Sequence, residues 1–297
     1  MGDGAGSWYA SPGPLTDLTR HAGRLRSAPR DPAGVARFVQ GLVLHPFHAW
    51  RYGVSPQALR SDDLQVRGAA EMLDRVLALD ASDLAEPRPP ERRFVGNCRH
   101  FSTLATALLR HHEVPARARC GFGSYFEPGK LVDHWVCETW EAKRGRFIAF
   151  DPQLDEVQRK GMSIAFDVLD LPTGAFVSGG DAWRRCRSGE LDPKTCGILD
   201  MWGLWFVLGN LVRDVASLAK VELLPWDGWG LMRTEVDTLT PDDWALLDRA
   251  AKLADADDPS LALLRALYAS EPGLRVPRAI TSWVEGMPAA VDLGFDA

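Results

Sequence analysis

Cys98 is the residue whose type and position suggest chemistry. From it, Cys98, Phe101, Leu104, Ala105, Leu108 and Leu109 recur on one face of a helix. Asn97 is the natural N-cap, so Cys98 falls in the first helical turn, where unpaired N–H groups and the positive end of the dipole favour thiolate over thiol. A core-facing cysteine is the plainer alternative. A thiolate nucleophile needs a base and a group that orients the base. Of seven histidines, only His134 lies inside a strong strand pattern. His100, His111 and His112 share the Cys98 helix, and His21, His45 and His48 sit in polar or loop-like surroundings. On its own, His134 reads equally as a satisfied structural residue or as a base. Hairpin arithmetic supplies a third member. If Glu141-Ala-Lys-Arg-Gly145 is a five-residue loop, Trp140 pairs with Arg146 and His134 falls opposite Pro152. A one-residue adjustment or a bulge would set His134 beside Asp151, whose carboxylate could fix the imidazole tautomer.

The elements that must hold these residues follow from period and punctuation. Apolar residues at helical spacing mark residues 32–44 and 61–79, and the run EPRPPERR (86–93) reads as an extended connector. Pro115 stops the Cys98 helix. Strand patterns cover 116–122, 131–140 and 146–151, so a helix precedes an antiparallel meander. Beyond Leu171 the chain turns helical and Trp-rich, with a Pro/Gly break at 224–230. Thr240-Pro241-Asp242-Asp243 opens a helix to about Ala254, and another runs over about 259–270. The expected class is α+β, with residues 1–29 a flexible N-terminal arm, 30–230 a catalytic domain, and 231–297 a helical extension packed on it.

Composition narrows the partners. The chain has 297 residues, enough for one large domain or two, and is 46% hydrophobic and 25% charged. Its basic residues are 28 Arg and 6 Lys with no concentrated tract, and the net charge is −6, so nucleic acid is not an expected partner. Met201–Gly209 is far short of a bilayer span and no secretion signal is visible, so no membrane partner and a cytoplasmic location are expected. Five cysteines give no disulfide framework. His134 and Cys137 are three apart on a presumed strand and point to opposite faces, so neither a metal site nor a cofactor is expected.

Four runs carry a resemblance: Gly96-Asn97-Cys98-Arg99-His100-Phe101-Ser102, then Val114-Pro115-Ala116-Arg117, then Asp133-His134-Trp135-Val136, then Phe150-Asp151-Pro152. Together they resemble the transglutaminase-like core, a papain-related fold with a Cys-His-Asp triad, and within it a bacterial group with GNCR, RCGF, DHWV and QLD motifs. The detailed likeness covers about Val95–Asp155; a looser one runs from His45–Val54 to Leu224–Gly230. It implies Cys98 as nucleophile, His134 as general base and acid, and Asp151 as orienter. His100 departs from relatives that often carry an acidic residue there, with possible effects on substrate choice or thiolate stability.

The implied reaction is acyl transfer through a Cys98 thioester, with a small-molecule or peptide amide as substrate and an amine or water as acceptor. Hydrolysis alone would make an amidase or peptidase; a non-catalytic binding module keeping the fold is the other alternative. The Cys98 N–H is the first oxyanion donor. Asn97, Trp50 and Tyr52 are candidates for the second. Arg99 and Arg119 are candidate carboxylate clamps, with ion pairing the plainer reading. Trp135, Trp202, Trp205, Trp226 and Trp229 are candidate cleft walls, with core packing the plainer one and a lid or rim the sharper one for Trp226 and Trp229. Oligomeric state is not readable.

Overall fold

The apolar periods resolve into two interleaved units in the computed structural model, which describes residues 5–255, 260–284 and 286–296. One unit joins Gly6–Ala118 to Trp135–Pro172; the other joins the chain up to Ala5 and Arg119–His134 to Thr173–Ala297. No helix among the described residues is long and apolar enough to cross a membrane.

The first unit begins with helix α1 (Ala5–Ala10), followed by α2 (Pro32–Leu42), in which the Asp31 carboxylate accepts the Gly34 N–H and Pro32 stands at the first position. Strand β1 (Val43–Leu44), helix α3 (Ala69–Leu79), strand β2 (Phe94–Val95) and helix α4 (Cys98–His111) follow. Strands β3 (Ala116–Gly123) and β4 (Leu131–Glu141) are each divided between the units, and β5 (Arg146–Phe150) and α5 (Glu156–Gly161) complete the first. Val35, Val39 and Leu42 of α2, Met72, Leu73 and Val76 of α3, and Leu104, Leu108 and Leu109 of α4 share one buried core with Cys137 and Phe150. The parallel register Val43↔Phe94, Leu44↔Val95, extended by Gly96 N–H to Leu44 O at 3.0 Å, delivers the chain into α4.

Three expectations change here. Residues 5–28 are not a loose arm: Leu18, Leu25 and Ala28 belong to the core, Tyr9 is 1% exposed, and the Thr16 hydroxyl accepts from the buried Arg110. Pro and Gly punctuation hid these scattered apolar anchors. The helix expected from Ser61 is a 3-10 turn over Ser61–Gln65, an extended piece, and then α3, because Gly68 adopts an extended cap conformation. The connector at 86–93 contains a 3-10 turn at Pro90–Arg92, and the buried Arg88 guanidinium donates to the carbonyls of Asp80, Ser82, Asp83 and Glu86.

In the second unit, β6 (Phe176–Ser178) pairs antiparallel with β3, while β7 (Cys196–Ile198) lies parallel to β4 through Leu131↔Cys196 and Val132↔Gly197 and antiparallel to β8 (Met201–Trp202). At Gly121 a Cβ would meet the Val177 carbonyl oxygen at 2.2 Å, so the β3–β6 approach requires glycine. Helices α6 (Gly179–Ser188), α7 (Leu204–Leu218), α8 (Pro241–Ala254) and α9 (Leu261–Ser270) pack in this unit. Thr240 and Asp243 form the expected capping box of α8. The tail is not purely helical: β9 (Asp227–Gly228) pairs with β10 (Ala279–Val284), which forms a hairpin with β11 (Met287–Asp292). The units exchange the chain at 5/6, 118/119, 134/135 and 172/173, and not at the expected 30 and 230.

Candidate active site

Cys98 is the first residue of α4 and 7% exposed. Asn97 adopts an extended cap conformation, and the α4 N-terminal donors are met by a reciprocal cap with His100. The His100 ring nitrogen Nδ1 lies 3.1 Å from the Asn97 backbone N and 2.8 Å from the Asn97 side-chain oxygen Oδ1, and Nε2 lies 3.0 Å from the Val66 carbonyl. A carbonyl can only accept, so in the neutral ring Nε2 carries the proton and Nδ1 accepts the Asn97 backbone N–H, which leaves the approach of Asn97 Oδ1 to Nδ1 a contact between two acceptors. Burial, reinforced by the Arg99 guanidinium, holds the His100 imidazole well below its ordinary value, which keeps it neutral. His100 is therefore a buried cap partner and not a substrate contact. Arg99 is also fully buried, donating to the Arg67 carbonyl at 2.6 Å rather than facing a substrate carboxylate.

Asp151 follows β5, 0% exposed. The β4–β5 register differs by one from the arithmetic above: Glu141, not Trp140, opposes Arg146, and Cys137 opposes Phe150. The turn is shorter because Gly145 takes a left-handed φ of 64° and both Arg144 and Gly145 N–H groups donate to the Glu141 carbonyl. The ladder ends one residue before Asp151, whose N–H donates to Val168 O at 2.8 Å. Extended by one pair, the register would meet Val136, so hairpin pairing does not set His134 opposite Pro152.

A polar network then fixes the turn after Asp151. The Gln153 N–H donates to Asp151 Oδ1 at 2.9 Å, and the Gln153 and Gln158 side chains bond at 3.0 Å. Gln158 Nε2 donates to Tyr52 Oη at 3.2 Å, and Tyr52 Oη donates to Asp155 Oδ2 at 2.6 Å. Asp155 caps α5 through the Gln158 N–H, and Gln40 Nε2 donates to the Pro152 carbonyl. Burial, then the bond to Asp155, pushes the Tyr52 phenol well above its ordinary range. Tyr52 thus spends its hydroxyl on this network, not on an oxyanion. The QLD motif (Gln153-Leu154-Asp155) is part of it; Gln158 carried no signal in the sequence.

His134 is the last residue of β4 inside the second unit and is 2% exposed. The Tyr125 and Phe126 rings meet it edge-on, with centroids 5.8 and 4.8 Å away. Its neighbour Asp133 faces the other side of the strand. There the Asn210 amide donates to Asp133 Oδ1 at 2.8 Å and to the Gly121 carbonyl at 3.0 Å. Burial raises the Asp133 carboxyl, against that hydrogen bond. The β7 pairing at Leu131 and Val132 anchors the strand just before this pair.

The remaining candidates separate by exposure. Trp50 is 63% exposed in the 3-10 segment Pro46–Tyr52, with the Arg51 guanidinium 4.4 Å above its ring. Trp135 is fully buried, and Trp229 is 1% exposed with its indole N–H on the Leu274 carbonyl at 2.9 Å, so both are core and neither is a lid. Trp226 is half-buried, and its carbonyl accepts the Trp283 N–H. Trp202 and Trp205 lie at the β8–α7 junction, Trp205 half exposed. Arg119 forms a buried bidentate pair with Asp214 at 2.9 and 2.8 Å, the structural reading rather than the clamp.

Residues 80–152 match the family model described as the transglutaminase-like superfamily. Members of that superfamily are generally cysteine-dependent acyltransferases or peptidases. Neither the curated proteins nor the solved structures gave a match to the chain.

Proposed function

We propose, on the premise that residues 80–152 carry a transglutaminase-like core, that this chain is a cysteine-dependent acyl-transfer enzyme acting on an amide or related acyl bond. The observation that carries the reading is Cys98 at the head of a capped helix inside the matched segment. In the proposed cycle the Cys98 thiolate attacks the acyl carbonyl and the Cys98 N–H helps hold the oxyanion. His134 donates a proton to the departing amine, leaving a Cys98 thioester. An acceptor amine or water then attacks the thioester while His134 takes its proton, and the thiol is released. Asp151 orients His134. With Tyr52 committed to Asp155 and Gln158, Asn97 and Trp50 stand as the candidates for the second oxyanion donor. The substrate is a small molecule or peptide, and the site is proposed to need no cofactor.

Intact-mass analysis with activated acyl donors tests the cycle: an acyl adduct on Cys98, absent in Cys98→Ala, is expected. Product analysis with and without a candidate amine then separates transfer from hydrolysis. A thioester that partitions only to free acid would make the chain an amidase or peptidase. If site-resolved iodoacetamide labelling finds Cys98 no more reactive than the other thiols at pH 7, the enzyme reading fails and a binding module takes its place.

A further inference from the structure

The catalytic scheme uses Asp151 but leaves unexplained why four polar side chains from separate stretches of the first unit converge behind it. Tyr52 comes from the 3-10 segment before α3, Asp155 and Gln153 from the turn after β5, and Gln158 from α5. Gln153 and Gln158 are each 2% exposed and Asp151 is 0% exposed. Buried polar groups are costly unless mutually satisfied, so a connected set of this kind holds its members in one geometry. The set runs without a gap from Tyr52 Oη through Gln158 Nε2 and Oε1 to Gln153 Nε2, and the Gln153 backbone N–H ends it on Asp151 Oδ1. Gln158 Nε2 also donates to the Gln153 carbonyl at 3.2 Å, so Gln158 holds Gln153 through both its side chain and its backbone.

We infer that Tyr52, Gln158 and Gln153 are positioning residues for Asp151, fixing the rotation of its carboxylate through the Gln153 peptide. The inference rests on the proposed role of Asp151 as orienter of His134. Tyr52 is the keystone. Its hydroxyl is donor to Asp155 and acceptor from Gln158, so a phenylalanine there removes two bonds while keeping the ring. With the turn loosened, Asp151 would sample other rotations and the thiolate–imidazolium form of the Cys98–His134 pair would be less populated at neutral pH.

The test is the rate of Cys98 alkylation by iodoacetamide, followed peptide by peptide from pH 5 to pH 10, in the full chain and in Tyr52→Phe, Gln158→Leu, Asp151→Asn and the Tyr52→Phe/Asp151→Asn double variant. Tyr52→Phe and Gln158→Leu are expected to lower the rate at pH 7 about fivefold and to move its half-maximum to higher pH, with the rate at pH 10 unchanged. Asp151→Asn should do the same or more, and adding Tyr52→Phe to it should change nothing further. A profile moved by Asp151→Asn but by neither Tyr52→Phe nor Gln158→Leu overturns the positioning inference and leaves the role of Asp151 standing. A profile that Asp151→Asn does not move overturns both. A rate lowered equally at every pH, with a lower melting temperature, marks Tyr52 as structural only and also overturns the inference. If Tyr52→Phe does not fold, Gln158→Leu carries the same comparison.

Discussion

Asn97 and His100 close on each other at the head of the helix that begins with Cys98, the imidazole Nδ1 taking the Asn97 N–H while Nε2 holds the Val66 carbonyl. One neutral ring therefore joins the cap of α4 to the segment that precedes α3.

This makes stability pH-dependent in a stated direction. The folded chain holds His100 neutral, whereas the unfolded chain takes up a proton as pH falls through the ordinary value of 6.5. The contribution is complete above that pH and declines below it, by up to about 1.4 kcal/mol per pH unit. Glutamine can accept at one end and donate at the other, as in a capping box. His100→Gln should flatten the loss seen in urea titrations between pH 6.5 and 5; an unaltered slope would assign the loss to another group.

The Arg119–Asp214 pair lies wholly inside the second unit, 5% and 0% exposed, and Asp214 also accepts the Cys120 N–H. Burial pushes the Asp214 carboxyl up and Arg119 opposes it. Asp214→Ala removes the two short bonds of the buried guanidinium, leaving it the longer contacts to the Ala254 carbonyl at 3.3 Å and Asp255 Oδ1 at 3.4 Å, and should cost about 3 kcal/mol. Arg119→Met with Asp214→Leu should recover much of that in chemical denaturation. A single-variant loss below about 1 kcal/mol would show that Asp255 and the Ala254 carbonyl suffice for the guanidinium.

Helix α4 ends with Glu113 at a φ of 58°, its N–H on the Arg110 carbonyl and the Val114 N–H on the Leu109 carbonyl. That is the position where glycine normally ends a helix. Glu113→Gly should raise stability by about 0.5–1 kcal/mol, because a left-handed residue with a Cβ is strained. Thermal unfolding checks it, and a lower melting temperature would mean that the glutamate side chain matters more than the strain.

Trp50 is exposed, so Trp50→Ala should leave stability within about 0.5 kcal/mol. If Trp50 contributes to acyl binding or to the oxyanion, the variant should lose activity without losing its fold. An unchanged KM and kcat on a turned-over substrate would remove Trp50 from the candidates.

The local code was legible where one dominant rule applied. Asn97 before an apolar face gave the start of α4, and Thr240-Pro241 with two acids gave α8. Register was harder, since a turn closed on Glu141 by Gly145 shortens the loop by one residue, and a slip of one changes every opposing pair. The N-terminal residues failed for a different reason: Tyr9, Leu18 and Leu25 are anchors at no regular period, and only tertiary packing gives them a role. His100 and Arg99 looked like candidate substrate contacts beside Cys98, but in a helix buried from Cys98 to Arg110 their side chains end on the carbonyls of Val66 and Arg67. The Tyr52–Gln158 link joins residues 106 apart, a distance that no local pattern encodes.

The four points at which the chain passes between units also bear on how the chain can be cut. Neither unit is a continuous stretch of the gene, and the matched segment 80–152 contains pieces of both. A fragment cut to the matched segment alone would therefore carry incomplete pieces of both units.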